Sequence, residues 1–195
     1  MASNAPASRQ FTWADFVALD DDDPRELIDG ELVDVEAPTK LHEHIVITLG
    51  AFLKMWTMKR RAGVVLGSGY KLRISEGRGI MPDLQFFSTE QAKKLPDQAM
   101  TEGHPDLVVE VLSESSRRYD RVTKLGWYAA IGVPEYWIVD PTSQTLERLV
   151  LADGQYVIAE ALEGDATFAP PSFDGLEVPM RELWEMPTED APEGG

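Results

Sequence analysis

The sequence contains no cysteine, which excludes disulfide staples and thiolate metal sites and fits a cytoplasmic protein. It has no apolar run of about 18 residues, so no membrane-spanning helix is expected. The opening stretch Met1-Ala-Ser-Asn-Ala-Pro lacks the basic and apolar regions of a secretory leader. Positive charge is scarce: 18 Lys and Arg face 34 Asp and Glu, a formal charge of −16. Such an excess opposes non-specific binding to nucleic acid, so any polyanion would have to be met by a local basic surface. Two stretches qualify: Lys54 with Lys59-Arg60-Arg61, and Arg117-Arg118 with Arg121 and Lys124. The first reads as a solvated helix end. Apolar residues are not scarce. A hydrophobic fraction of 43% with five tryptophans argues against disorder, and 195 residues suit one domain with a real core. That domain is expected over residues 11–186, with residues 1–10 and 187–195 as flexible ends.

The pattern centres on Asp106-Leu107-Val108-Val109-Glu110-Val111-Leu112. Its length and valine content predict a strand buried on both faces. Glu110 falls in the middle, where a lone carboxylate needs a cation, a metal or a proton. Period two places Asp106 on the same face as Glu110. A helix over Arg118–Ile131 follows, with Val122, Leu125, Tyr128 and Ala129 expected on its buried face. Gly132 stops it and Glu135–Asp140 forms a second buried strand. Strand, helix and strand with a short link make a parallel βαβ unit.

Other elements read as cleanly. Asp29-Gly30 between short apolar runs predicts an N-terminal hairpin, with Glu26 and Glu31 flanking the turn. Leu41, Ile45, Leu49, Phe52, Leu53 and Trp56 recur at helical spacing and predict a long helix over Thr39–Arg61. In its first turn His42 and His44 are two apart, which suits no shared metal, and both read as surface residues beside Glu43, a weak site candidate. Thr12 is a plausible cap for a short helix from Trp13. Asp20–Asp23 lack calcium-loop spacing and read as a solvated turn. Gly63–Leu66, Tyr70–Ile74 and Ile80–Phe87 read as strands, Lys93–His104 as a polar loop, Leu146–Leu151 with Gln155–Ala161 as a C-terminal hairpin, and Met180–Met186 as a last helix.

Asp83 and Glu110 lie on separate predicted strands of one sheet, and Lys124 lies one turn beyond Asp120 on the following helix. Neighbouring strands would bring two carboxylates and a lysine together. Paired carboxylates suit magnesium, which can polarise a phosphoryl oxygen, and a lysine can orient the attacking water. Strand-end acids and an ordinary i,i+4 ion pair between Asp120 and Lys124 are the plainer reading of the same residues.

Several ordered motifs resemble one family. Pro82-Asp83, then Pro105-Asp106-Leu-Val-Val-Glu110-Val-Leu-Ser113, then Tyr119-Asp120-Arg121-x-x-Lys124-Leu125-x-x-Tyr128, then Gly132-Val-Pro134-Glu135-Tyr136-Trp137-Ile138-Val139-Asp140-Pro141 are similar to the Uma-type family of candidate restriction endonucleases, long labelled a domain of unknown function, within the PD-(D/E)XK nuclease superfamily. The likeness covers about residues 11–160 and includes the Glu26–Val33 hairpin. It implies an α/β restriction-endonuclease-like core, a mixed β-sheet flanked by helices. It implies that Asp83 and Glu110 bind Mg2+ or Mn2+, with Glu31 completing the metal site. The superfamily's lysine would stand at Leu112; Lys124 matches a place to which it has moved. Tyr119 and Asp120 match family positions that serve packing and helix capping.

Three readings follow. The first is a magnesium-dependent DNA endonuclease with Asp83, Glu110 and Lys124 catalytic and Arg117, Arg118 and Arg121 on phosphate. The second is a catalytically silent nuclease fold used for binding or assembly, which the acidity and Leu112 favour. The third is a metal-dependent hydrolase of a smaller phosphate substrate. Edge strands and the Trp127, Tyr136 and Trp137 region allow a homodimer, with core packing the more ordinary role for those aromatics.

Overall fold

The computed structural model describes residues 9–20 and 22–186. The expected flexible ends, residues 9 and 10 aside, lie outside the described residues, as does Asp21 of the aspartate turn. Helix α1 (Trp13–Val17) starts at Thr12, whose hydroxyl accepts from the Asp15 N–H while the Asp15 carboxylate accepts from the Thr12 N–H. Strands β1 (Glu26–Ile28) and β2 (Glu31–Val33) form the expected hairpin, with Asp29 and Gly30 both at positive φ. Helix α2 (Lys40–Arg60) is capped by Thr39 and closed by Arg61 in the left-handed region.

Next come β3 (Gly63–Gly67), β4 (Lys71–Ser75), β5 (Arg78–Ile80), β6 (Leu84–Ser88), α3 (Thr89–Ala92) and β7 (Ala99–Met100). The buried strand is β8 (Leu107–Val111). A helical stretch follows, its first part a π turn over Tyr119–Lys124 and its second α4 (Leu125–Ile131). Strand β9 (Glu135–Asp140) leads into the hairpin of β10 (Thr145–Ala152) and β11 (Gln155–Glu163). The described chain ends with β12 (Thr167–Phe168), a 3-10 turn Pro171–Phe173, β13 (Val178–Pro179) and α5 (Arg181–Trp184).

Six strands build the main sheet in the order β11-β10-β9-β8-β6-β3. Only β8 and β9 run parallel in it, joined by the helical crossover; the other pairs are antiparallel. A smaller sheet runs β2-β1-β5-β4-β7. The restriction-endonuclease-like architecture of a mixed sheet flanked by helices is thus the observed one. Alternation along β8 sends Leu107, Val109 and Val111 into one core with Ile45, Leu49 and Leu53 of α2 and the C-terminal aromatics. Val108 and Leu112 enter a second core with Trp127 and Tyr128 of α4 and Leu72 and Ile80 of the small sheet. Glu110 lies on this second face, between them. Trp127, Tyr136 and Trp137 are all buried, in the packing role.

Three expectations are corrected. The run Ile80–Phe87 is two strands in two sheets, broken at Met81-Pro82-Asp83. Pro82 has no N–H to give a ladder and restricts Met81, so pairing stops there and the chain passes from the small sheet to the large one. Val122 is 64% exposed, while Asp120 and Lys124 of the same helical stretch are buried. Hydrophobicity misplaced Val122 because charged groups satisfied by one another occupy the inward side of that turn; Tyr128 is buried and Leu125 packs against the core, as expected. The loop Lys93–His104 contains β7, which adds a parallel edge strand to the small sheet.

The crossover is tied down at its start. Arg117 grips both carboxylate oxygens of Asp140 at the end of β9, the guanidinium donating to Oδ1 at 2.9 Å and also to Oδ2. Asp140 Oδ1 also accepts from the Thr142 N–H at 3.0 Å. Burial would raise the Asp140 pKa, but Arg117 and these N–H donors hold it at about 2.

Two outcomes follow from the packing. An alanine methyl at Gly79 would lie 2.6 Å from the Phe16 ring and 2.7 Å from the Trp13 ring. Rigid rings give little, so Gly79→Ala should lower stability by about 1–3 kcal/mol in urea unfolding. Asp140 stabilises the fold while ionised, above its unfolded pKa of 3.8, and that contribution fades as pH falls through about 2. Between these limits the wild type should lose about 2 kcal/mol that Asp140→Asn does not lose, read as a flatter acid limb in stability against pH.

Candidate active site

The antiparallel register of β6 and β8 pairs Leu84 with Val109. One step further, Asp83 stands opposite Glu110, just past the last rung. Asp83 Oδ2 accepts from the Val111 N–H at 2.7 Å, so the two carboxylates share one end of adjacent strands. The parallel neighbour, β9, places apolar Ile138 beside Glu110, and the glutamate is only 3% exposed.

Lys124 reaches this point from the π turn. Its Nζ donates to Glu110 Oε1 at 2.9 Å and stands 3.2 Å from Asp120 Oδ1 and 3.7 Å from Glu26 Oε1. Tyr128, one α-turn on, donates its hydroxyl to the same Glu110 oxygen. The π geometry, with its i→i+5 pairing, turns both Asp120 and Lys124 inward; such turns recur at functional sites. Glu26, the first residue of β1, also accepts from the Met81 N–H at 3.1 Å, which ties the small sheet to the Asp83 segment.

Three carboxylates, Glu110, Asp120 and Glu26, thus surround one ammonium, with Asp83 opposite Glu110. Burial pushes the Glu110 pKa well above the ordinary carboxylate value; Lys124 opposes that shift, while Asp120 and Asp83 add to it. Burial would lower the Lys124 pKa, but Glu110, Glu26 and Asp120 raise it well above normal, so the ammonium persists. Asp120 Oδ1 is buried without a well-aligned hydrogen bond. The excess of hard oxygen donors fits a hard divalent cation. Among the described residues no three His, Asp or Glu side chains are already drawn together as a metal cage. Asp83 and Glu110 would supply two carboxylates, which matches magnesium's habit of keeping several waters.

The cleft above these residues encloses about 490 Å³ and is lined by Glu26, His42, Asp83, Glu110, Asp120 and Lys124 among others. Three of these were not read as site residues. Glu26 replaces the expected Glu31, which is exposed on edge strand β2 and does not line the cleft. β1 is flanked by β2 and β5, so its glutamate is carried inward; the hairpin signal named both glutamates without ranking them. Asp120 forms the expected pair with Lys124, but inside the site. His42 is no surface residue: its Nε2 lies 3.4 Å from Asp83 Oδ2 and its Nδ1 3.8 Å from Glu43 Oε1. Burial lowers the His42 pKa, but Asp83 and Glu43 outweigh it and leave the value above normal. His44 points elsewhere, its Nε2 3.0 Å from the Glu182 carbonyl.

Asp106, on the face of Glu110 by period, sits at the far end of the strand and accepts from the Ser88 N–H at 2.6 Å. Leu112, at the superfamily's lysine position, is buried in the apolar core. The three arginines divide. Arg117 is engaged by Asp140, Arg121 donates to Glu147 of β10 at 2.6 Å, and Arg118 is exposed. Lys54, Lys59, Arg60 and Arg61 are exposed on the far half of α2, with Arg60 2.9 Å from Asp174.

Among the described residues no helix is long and apolar enough to cross a membrane. Residues 13–181 match the family model Uma2, described as "Putative restriction endonuclease". The uncharacterized protein sll1609 of Synechocystis is 26% identical over 144 residues, 72% of this chain and 80% of that protein. A crystal structure of a "putative nuclease belonging to DUF820" from Anabaena variabilis superposes with a TM-score of 0.72 at 18% identity, covering 89% of this chain and 97% of that one. That likeness shows the fold. With the family model matched over most of its length, and the expected fold in place around the motif residues, the chain belongs to the Uma2 family.

Proposed function

We propose that the chain is a magnesium-dependent endonuclease that hydrolyses DNA phosphodiester bonds. The observation that carries this reading is the Lys124 ammonium, 2.9 Å from Glu110 Oε1 and in one cleft with Asp83 at the open end of the strands. Asp83 and Glu110 would hold the cation. When bound, the cation polarises a phosphoryl oxygen and lowers the pKa of a water. Lys124 would orient the attacking water and stabilise charge developing on the phosphoryl oxygens. Glu26 and Asp120 keep the lysine charged and aimed, and Tyr128 fixes the Glu110 oxygen that faces it. Glu31 is too exposed to join this set. Arg118 is the arginine of the three left open to a phosphate; Arg117 and Arg121 would first have to leave their carboxylates. Cutting both strands of a duplex takes two sites, which a homodimer would supply.

One observation favours a second reading, a smaller phosphate ester as substrate. Asp22, Asp23, Glu36 and Glu43 line the same cleft and would repel a long polyanion.

Plasmid nicking with Mg2+ or Mn2+, beside a phosphodiester of nucleotide size, separates the readings. The wild type should nick, and Asp83→Asn and Glu110→Gln should not. Lys124→Met should slow nicking by about 10²-fold, the scale of losing one charge-stabilising donor. Cleavage of the small diester alone would establish the second reading, and wild type inert on both would sink the hydrolase. Lys124→Met should also lower stability by about 3 kcal/mol, because it strands buried carboxylates without their cation. Adding Glu110→Gln should restore part of that loss in a double-mutant cycle.

A further inference from the structure

Asp83 sits in the irregular Met81-Pro82-Asp83 break between two sheets, so no ladder fixes its side chain. Two donors from different elements do. The Val111 N–H of β8 donates to Oδ2 at 2.7 Å, and the His42 ring, from the first turn of α2, brings Nε2 to 3.4 Å of that same oxygen. An ionised carboxylate only accepts, so the Nε2 facing it carries the hydrogen. The His42 side chain is 13% exposed, and the first turn that holds it is fixed by the Thr39 cap on the His42 N–H. Its Nδ1 is shielded from solvent and has no hydrogen-bond partner, so the ring is held from its Nε2 side, by Asp83 and the neighbouring Val111 backbone. Both donors converge on Oδ2. The other oxygen, Oδ1, accepts from neither of them.

We propose that His42 is a positioning residue, whose Nε2–H clamps Oδ2 of Asp83 so that Oδ1 is presented to a divalent cation in the cleft. This rests on the metal-site reading above. Helix α2 thereby takes part in the site without contributing a ligand. Partners of this kind set ligand orientation, and removing one weakens metal affinity by about 10–100-fold.

The test compares His42→Gln with His42→Asn in the full chain. Both are polar amides, asparagine matching histidine in helix propensity and glutamine exceeding it slightly, but only glutamine can carry an N–H to the Nε2 position. Free Mn2+ is counted by its paramagnetic resonance signal during titration, and melting is measured without metal. Wild type and His42→Gln should bind Mn2+ with similar affinity, while His42→Asn binds at least about 10-fold more weakly. All three should melt together, since the loss lies in ligand aim and not in packing. Equal affinity in all three proteins would overturn the proposal, as would equal weakening in both variants. Lower melting of His42→Asn in step with its affinity would assign His42 a packing role and overturn it too. A wild type that binds no Mn2+ would bring down the metal site itself, an outcome distinct from the others.

Discussion

The buried ion pair of Lys124 and Glu110 constrains everything around it. Taking two charges out of water costs several kcal/mol per ion, and attraction alone offsets that only when the remaining hydrogen-bonding capacity is filled. Here Tyr128 fills part of Glu110, while Asp120 and Glu26 close around the ammonium. These five side chains come from four different elements. β8 gives Glu110, the π turn gives Lys124 and Asp120, α4 gives Tyr128, and β1 of the small sheet gives Glu26. A pair satisfied this way cannot form until the two sheets and the crossover helix have come together, so the site and the tertiary fold are one construction.

The cluster carries more negative than positive charge. A structural ion pair would be served better by parity, or by apolar side chains of similar volume. The raised Glu110 pKa is the local expression of that imbalance, and a cation entering beside Asp83 would relieve it. Stability has been given up at the end of β8 and β6, where the cleft opens, while the rest of both strands is packed with valine, leucine and phenylalanine. Departures from the apolar rule of this kind concentrate where function is.

Much of this was legible beforehand, for physical reasons. The β8–helix–β9 unit was readable because valine-rich runs of strand length, a glycine stop and a proline restrict the chain locally. The Asp29-Gly30 hairpin was readable because its turn demands those residues. Asp83, Glu110 and Lys124 were singled out together, and all three line one cleft. The misses at Glu26, His42 and Val122 share one cause, which is that burial is a property of the assembled fold. Glu26 and Glu31 look alike until β1 is seen to lie inside its sheet and β2 at the edge. His42 looks superficial until the Pro82 break delivers Asp83 to it. Val122 looks like core until ionic partners claim the inward face.

The π turn over Tyr119–Lys124 has a consequence for how such a site can arise and be lost. A π turn carries one residue more per hydrogen-bonded loop than an α turn. Excising a single residue there would let the stretch relax into a plain α-helix, and the segments on either side would stay in register, because the wide turn is what absorbs the extra residue. The β-strands and the cores could survive that change, while the aim of the side chains inside the turn, Asp120 and Lys124 among them, would shift against Glu110. A change of one residue in the length of this helix would therefore retune the cluster with every acidic residue of the sheet left in place.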